Sequence, residues 1–142
     1  MLIDAEQLLK WQIFNLIAGN SDAHIKNISF LYQDNETRLA PFYDLVCTRA
    51  LVHLDDSLAL YIGNQKDPKQ VSKDNLIELA NQCQIRPRRI LNTVGQMLID
   101  IEENKDRVKA EIEMQYGEQA ALQKVERVIK QQTKLLGTAL SK

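Results

Sequence analysis

Asp22 and Asn27 stand close together in Gly19-Asn20-Ser21-Asp22-Ala23-His24-Ile25-Lys26-Asn27, and a second carboxylate follows in Pro41-Phe42-Tyr43-Asp44. Phosphoryl transfer needs little covalent chemistry from a protein. It needs a substrate hydroxyl, ATP and Mg2+ held together, with the developing charge neutralised. Asp22 can accept or orient the hydroxyl proton from a rigid loop. Asn27 offers a neutral oxygen and Asp44 an anionic one, a pair suited to a hard cation that keeps phosphates and waters in its shell. His24 and Lys26 add donors or cations beside the phosphates. Taken singly, each residue has a plainer use: Asp22 could cap a turn, and Asn27 and Asp44 could be turn residues. It is the combination that points to catalysis.

These side chains need a scaffold, and the hydrophobic pattern supplies one. Leu8, Leu9, Trp11, Ile13, Phe14, Leu16 and Ile17 predict a helix over 4–18, apolar on most of its circumference and stopped by Gly19-Asn20. Ile28 to Tyr32 and Arg38 to Tyr43 flank the polar Gln33-Asp34-Asn35-Glu36-Thr37, which predicts a hairpin bringing Asp44 back toward Asn27. Residues 46–69 are irregular and read mostly as loop. Beyond them Ser72 can cap a helix reaching Cys83, and Pro87 can open a long helix that Gly117 ends. A last helix over 118–140 carries Leu122, Val125, Val128, Ile129, Leu135 and Leu136 on a stripe, with Lys124, Arg127, Lys130 and Lys134 outside it.

With 142 residues, 44% hydrophobic and 26% charged, the chain can bury one core, and one domain over 1–142 is expected. A net charge of −1 provides no global field toward nucleic acid or anionic membrane. No long uncharged apolar run suggests a membrane span, and the setting expected is the cytoplasm. Cys47 and Cys83 lack metal spacing and read as buried thiols.

The run from Gly19 to Asn27, with Leu39-Ala40-Pro41-Phe42-Tyr43-Asp44-Leu45, closely resembles the catalytic core of the HipA-like serine/threonine kinases, toxins of bacterial toxin–antitoxin systems. The resemblance is strongest over 9–48. It implies that Asp22 is the catalytic base, that His24, Ile25, Lys26 and Asn27 form the ATP and magnesium loop, and that Tyr43 and Asp44 are the metal-binding pair found in other kinases as Asp-Phe-Gly. It also implies an antitoxin partner, and known family members act on aminoacyl-tRNA synthetases. The fold expected is mainly α, a helical kinase-like C-lobe with a small β-hairpin beside the catalytic loop. Only residues 1–21 precede Asp22, and the five glycines are scattered singly, so no glycine-rich phosphate loop is present. A separate N-terminal lobe is therefore expected to complete the nucleotide clamp, and weak or absent activity is expected of this chain alone.

Two other classes compete. Residues 75–94 loosely suggest a helix-turn-helix whose second helix opens with Arg88 and Arg89, although Gln84 occupies the usual turn-glycine position. The resemblance leaves Arg88 and Arg89 a lesser role, contacting DNA phosphates only indirectly, through the antitoxin complex. The third class is a purely structural module that uses the last helix for interaction.

Overall fold

The computed structural model describes residues 2–51 and 55–142. Four helices, α1 (Leu2–Ala18), α2 (Lys73–Gln82), α3 (Pro87–Tyr116) and α4 (Ala120–Leu140), surround one apolar core. A two-stranded antiparallel hairpin, β1 (Phe30–Gln33) and β2 (Glu36–Leu39), projects after α1. The expected fold class is the one observed.

Helix α1 is central because its apolar residues cover more than one face. Leu9, Ile13, Leu16 and Ile17 are buried against Leu76, Leu79 and Ala80 of α2, Ile90 and Val94 of α3, and Leu136 of α4. Each of these large side chains contributes roughly 1.5–3 kcal/mol through removal from water. Helix α2 begins at a reciprocal cap, in which Ser72 Oγ accepts from the Asn75 N–H at 3.2 Å and Asn75 Oδ1 accepts from the Ser72 N–H at 2.9 Å. Pro87 opens α3 and Gly117 closes it with φ 73°. Gln84, standing where a glycine is usual, adopts φ 55° between α2 and α3.

The hairpin is tighter than the polar run suggests. Gln33 and Glu36 pair with each other, leaving Asp34 and Asn35, at φ 50° and 63°, as a two-residue turn. The strands stop at Leu39, and the ladder closes one step further on, where the Ala40 N–H donates to the Ser29 carbonyl at 2.9 Å just before Pro41. Both strands are solvent-exposed along almost their whole length, so their own pairing is marginal support. The hairpin is held from outside. Asp4 of α1 accepts from Arg38 Nε at 3.2 Å and from the Leu39 N–H at 3.4 Å, and Phe42 stacks on Trp11 with ring centroids 5.5 Å apart. Partial burial pushes the Asp4 carboxyl up. The Leu39 N–H and the Arg38 guanidinium outweigh that and hold it below its ordinary value.

Of the stretch 46–69 expected to be irregular, residues 52–54 lie outside the described residues, and the rest has only short 3-10 segments, Thr48–Ala50 and Pro68–Gln70, the second capped by Asp67, and a tight turn at Gly63. The cysteines differ from expectation. Cys47 is half-buried, and Cys83 is exposed at the C-terminal end of α2, where the chain turns away from the core.

Gly19 is fixed by both conformation and space. Its φ is +75°, and a Cβ would lie 2.4 Å from Val128 Cγ1 of α4. Gly19→Ala is expected to destabilise the protein by about 2–4 kcal/mol, combining left-handed strain with overpacking. Urea unfolding measures this, and a change below about 1 kcal/mol would contradict the close approach of α4 to the loop.

Candidate active site

The loop after α1 is anchored at both ends on Asp44. Near its start, Asn20 Nδ2 donates to the Asp44 carbonyl at 3.0 Å and to Asn15 Oδ1 at 2.9 Å. At its end, Asn27 Nδ2 donates to Asp44 Oδ2 at 2.7 Å. Asp44 itself has φ 58°, a left-handed conformation that Asp tolerates better than most residues. The hairpin thus returns the chain so that residues 20–27 and Asp44 form one closed unit.

Within that unit Asn27 is only 5% exposed, in a short 3-10 turn, Ile25–Asn27. The Asp22 side chain is 73% exposed, and His24 Nε2 approaches its Oδ1 at 3.9 Å. Among the described residues, the Asp22 carboxylate accepts no hydrogen bond, which leaves it available to an incoming group. His24 Nδ1 is buried without a hydrogen-bond partner. Ile25 and Lys26 are exposed, and the Lys26 carbonyl accepts from Tyr43 Oη at 3.2 Å, which also meets Ser29 Oγ at 3.2 Å. Tyr43 therefore ties the segment after the hairpin to the loop before it. Arg88 and Arg89 belong to the start of α3, a different element, where Arg89 Nη2 meets Glu6 Oε1 at 2.7 Å.

The donor set fits magnesium with restraint. Asp44 Oδ2 accepts from Asn27 Nδ2, and among the described residues Asp44 Oδ1 and Asn27 Oδ1 accept no hydrogen bond, so one anionic and one neutral oxygen remain to offer. Among the described residues no group of three or more His, Cys, Asp or Glu could hold a metal unaided. Such a pair suits an ion that completes its octahedron with phosphates and waters. A groove of about 700 Å³ between Val71 and Leu135, rimmed by Lys69, Lys73, Lys134 and Lys142, shares no residue with this loop.

Several supporting residues were given no role by the sequence, and Asn15, Thr48, Arg49 and Gln132 lie outside the motif altogether. Asn15 and Asn20 are buried polar groups on and just beyond α1, and Ser21, Thr48, Arg49 and Gln132 bond the loop's back side. Asn15 and Gln132 each interrupt an apolar helix face, the one signal in the sequence that could have marked them.

The architecture is that of a helical kinase-like C-lobe with a small hairpin. The chain belongs to the HipA-like C-terminal domain family, whose profile matches residues 2–105. It is similar to two proteins of Sinorhizobium fredii, "Putative kinase Y4mE" (38% identical over 95 residues, 64% of this chain and 23% of the relative) and "Putative kinase Y4dM" (32% over 91 residues, 63% and 22%). It is also similar to the serine/threonine-protein kinase toxin HipA of Shewanella oneidensis, 36% identical over 66 residues, 46% of this chain and 15% of that one. The fold matches a chain of the solved complex of Shewanella oneidensis HipA, HipB and operator DNA with TM-score 0.74 and 22% identity, over 94% of this chain and 31% of that chain. The chain therefore spans less than a quarter of the curated relatives it matches. Among the described residues, no helix is long and apolar enough to cross a membrane.

Proposed function

We propose that this chain is the catalytic lobe of an ATP-dependent serine/threonine protein kinase of the HipA type, acting in the cytoplasm together with an N-terminal lobe. The observation that carries the reading is the double anchoring of Asp44 by Asn20 and Asn27, which ties the loop bearing Asp22 to the second carboxylate. In this reading Asp44 and Asn27 hold Mg2+, which when bound neutralises charge on the ATP phosphates. Asp22 accepts the proton of a protein Ser or Thr hydroxyl, and its exposure leaves room for an acceptor of that size. His24 and Lys26 face the phosphates, and Ile25 and Tyr43 shape the nucleotide side of the loop.

The missing part of the clamp has a docking surface available. Phe30, Leu31, Tyr32, Tyr43, Leu45 and Val46 are all exposed beside the loop, more apolar surface than a hairpin facing only water would carry. An N-terminal lobe covers this face. The likeness to a chain of the HipA, HipB and operator DNA complex supports an antitoxin partner, with DNA met only through that assembly. Arg88 is exposed and makes no ion pair among the described residues, so it is the better placed of the two arginines for a phosphate contact.

Calorimetric titration of ATP with Mg2+ tests the reading. The expected result is little or no heat with this chain alone and clear binding once the N-terminal lobe is supplied. Absence of binding in both cases overturns it.

A further inference from the structure

Among the described residues Asp22 makes no hydrogen bond through its own carboxylate, so its place is set by its neighbours. Ser21 is held through all three of its polar groups. Its N–H donates to Thr48 Oγ1 at 2.8 Å, its Oγ to the Asp56 carbonyl at 2.8 Å, and its carbonyl accepts from the Ala59 N–H at 2.9 Å. Gly19 is held by the next residue along, since its carbonyl accepts from the Arg49 N–H at 3.0 Å and from Thr48 Oγ1 at 3.3 Å. The Thr48-Arg49 pair is thus the mould in which the residues before Asp22 are cast.

That mould rests on α4. The Arg49 side chain is 3% exposed, its Nη1 donates to Gln132 Oε1 at 2.8 Å, and its Nε has no hydrogen-bond partner, the nearest carboxylate oxygen being Asp56 Oδ2 at 4.0 Å. Gln132 is wholly buried, and its Nε2 donates to the Pro68 carbonyl at 2.7 Å. A buried guanidinium is costly unless its donors are satisfied. Among the described residues one neutral glutamine oxygen supplies its one well-formed side-chain bond. Gln132 also continues the seam of Leu122, Val125, Ile129 and Leu136, where leucine would pack more simply. Val128, one turn earlier, lies against Gly19. Gln132 stands outside the span that the family profile matches.

We propose that Gln132 and Arg49 are positioning residues that let α4 set the backbone before Asp22, so that phosphotransfer depends on a helix touching neither nucleotide nor acceptor. The catalytic half of this statement rests on the kinase reading above. The geometric half does not. Loss of the Gln132 acceptor leaves a buried charge without its main partner. Arg49 must then move, and the bonds to Gly19 and Ser21 move with it. Displacement of a catalytic group by about 1 Å can cost on the order of 100-fold in rate.

Amide exchange on the full chain tests the geometric half without nucleotide. In Gln132→Leu, the Ser21 and Arg49 amides exchange at least about 10-fold faster, while Leu76 and Ile90 in α2 and α3 keep their wild-type rates. Gln132→Glu also loses the donor to the Pro68 carbonyl but keeps an acceptor for Arg49, so its Ser21 amide exchanges more slowly than in Gln132→Leu. If Gln132→Leu fails to fold, Gln132→Glu and Arg49→Lys are compared instead, and the lysine variant shows the faster Ser21 exchange. Wild-type rates at Ser21 and Arg49, or a uniform rise across all helices, overturn the proposal. In the protein assembled with its N-terminal lobe, Gln132→Leu lowers kcat at least about 10-fold with KM for ATP nearly unchanged. If the wild-type assembly transfers no phosphate, the kinase reading fails, and the exchange data still decide whether α4 sets the loop.

Discussion

Asp44→Asn lowers magnesium-dependent ATP binding by at least about 100-fold in the assembled protein while leaving the fold intact. The substitution isolates charge from shape. Asn tolerates the left-handed backbone at φ 58°, where alanine would add strain of its own. It also keeps an oxygen to accept from Asn27 Nδ2, now at 2.7 Å from the carboxylate. What disappears is the anionic oxygen that Asp44 offers to a divalent cation, and even outer partners of metal ligands typically cost 10–100-fold when removed. Titration with ATP and Mg2+, repeated without the metal, measures the effect. The residual metal-free affinity should match wild type, because Asp44 serves the nucleotide only through the cation. Equal magnesium-dependent binding in both proteins would remove Asp44 from the site.

The sequence exposes the parts of this site that are local, and hides those that depend on distant chain segments. Helix α1 is legible because seven large apolar residues crowd a short stretch, and its stop is legible because Gly19 and Asn20 suit a left-handed turn. Asp22, Asn27 and Asp44 are legible through their spacing across a hairpin. The double role of Asn20 is not, since a helix-stopping Asn looks the same whether its amide meets water or the Asp44 carbonyl. Nor does the polar run Gln33 to Thr37 reveal its two-residue turn, because Gln, Glu and Thr pair in exposed strands as readily as they fill loops. Cys83 was expected inside on residue type alone, yet it falls on the outer side of the α2 terminus. Arg49 and Gln132 are 83 positions apart, and only the packing of α4 on the loop brings them together.

Asp22→Asn separates chemistry from binding. In the assembled protein kcat falls by about 100- to 10,000-fold, the range over which a positioned acid or base contributes, while affinity for ATP with Mg2+ stays within about twofold of wild type. Two features of the side chain require this division. It is 73% exposed and takes no hydrogen bond from the described residues, so replacing its carboxylate by an amide of the same size removes none of the bonds that hold the loop together. Asn20 and Asn27 continue to clasp Asp44, so the oxygens proposed to hold the metal keep their arrangement. The amide can still accept a hydrogen bond from an acceptor hydroxyl but cannot take its proton. Single-turnover transfer from γ-labelled ATP to a protein acceptor reads kcat apart from affinity. A chain that serves only as an interaction module transfers nothing in either form, and one that uses another base keeps its rate. A fall in rate with affinity unchanged assigns the proton to Asp22, and a joint fall in both would instead make Asp22 part of the nucleotide cradle.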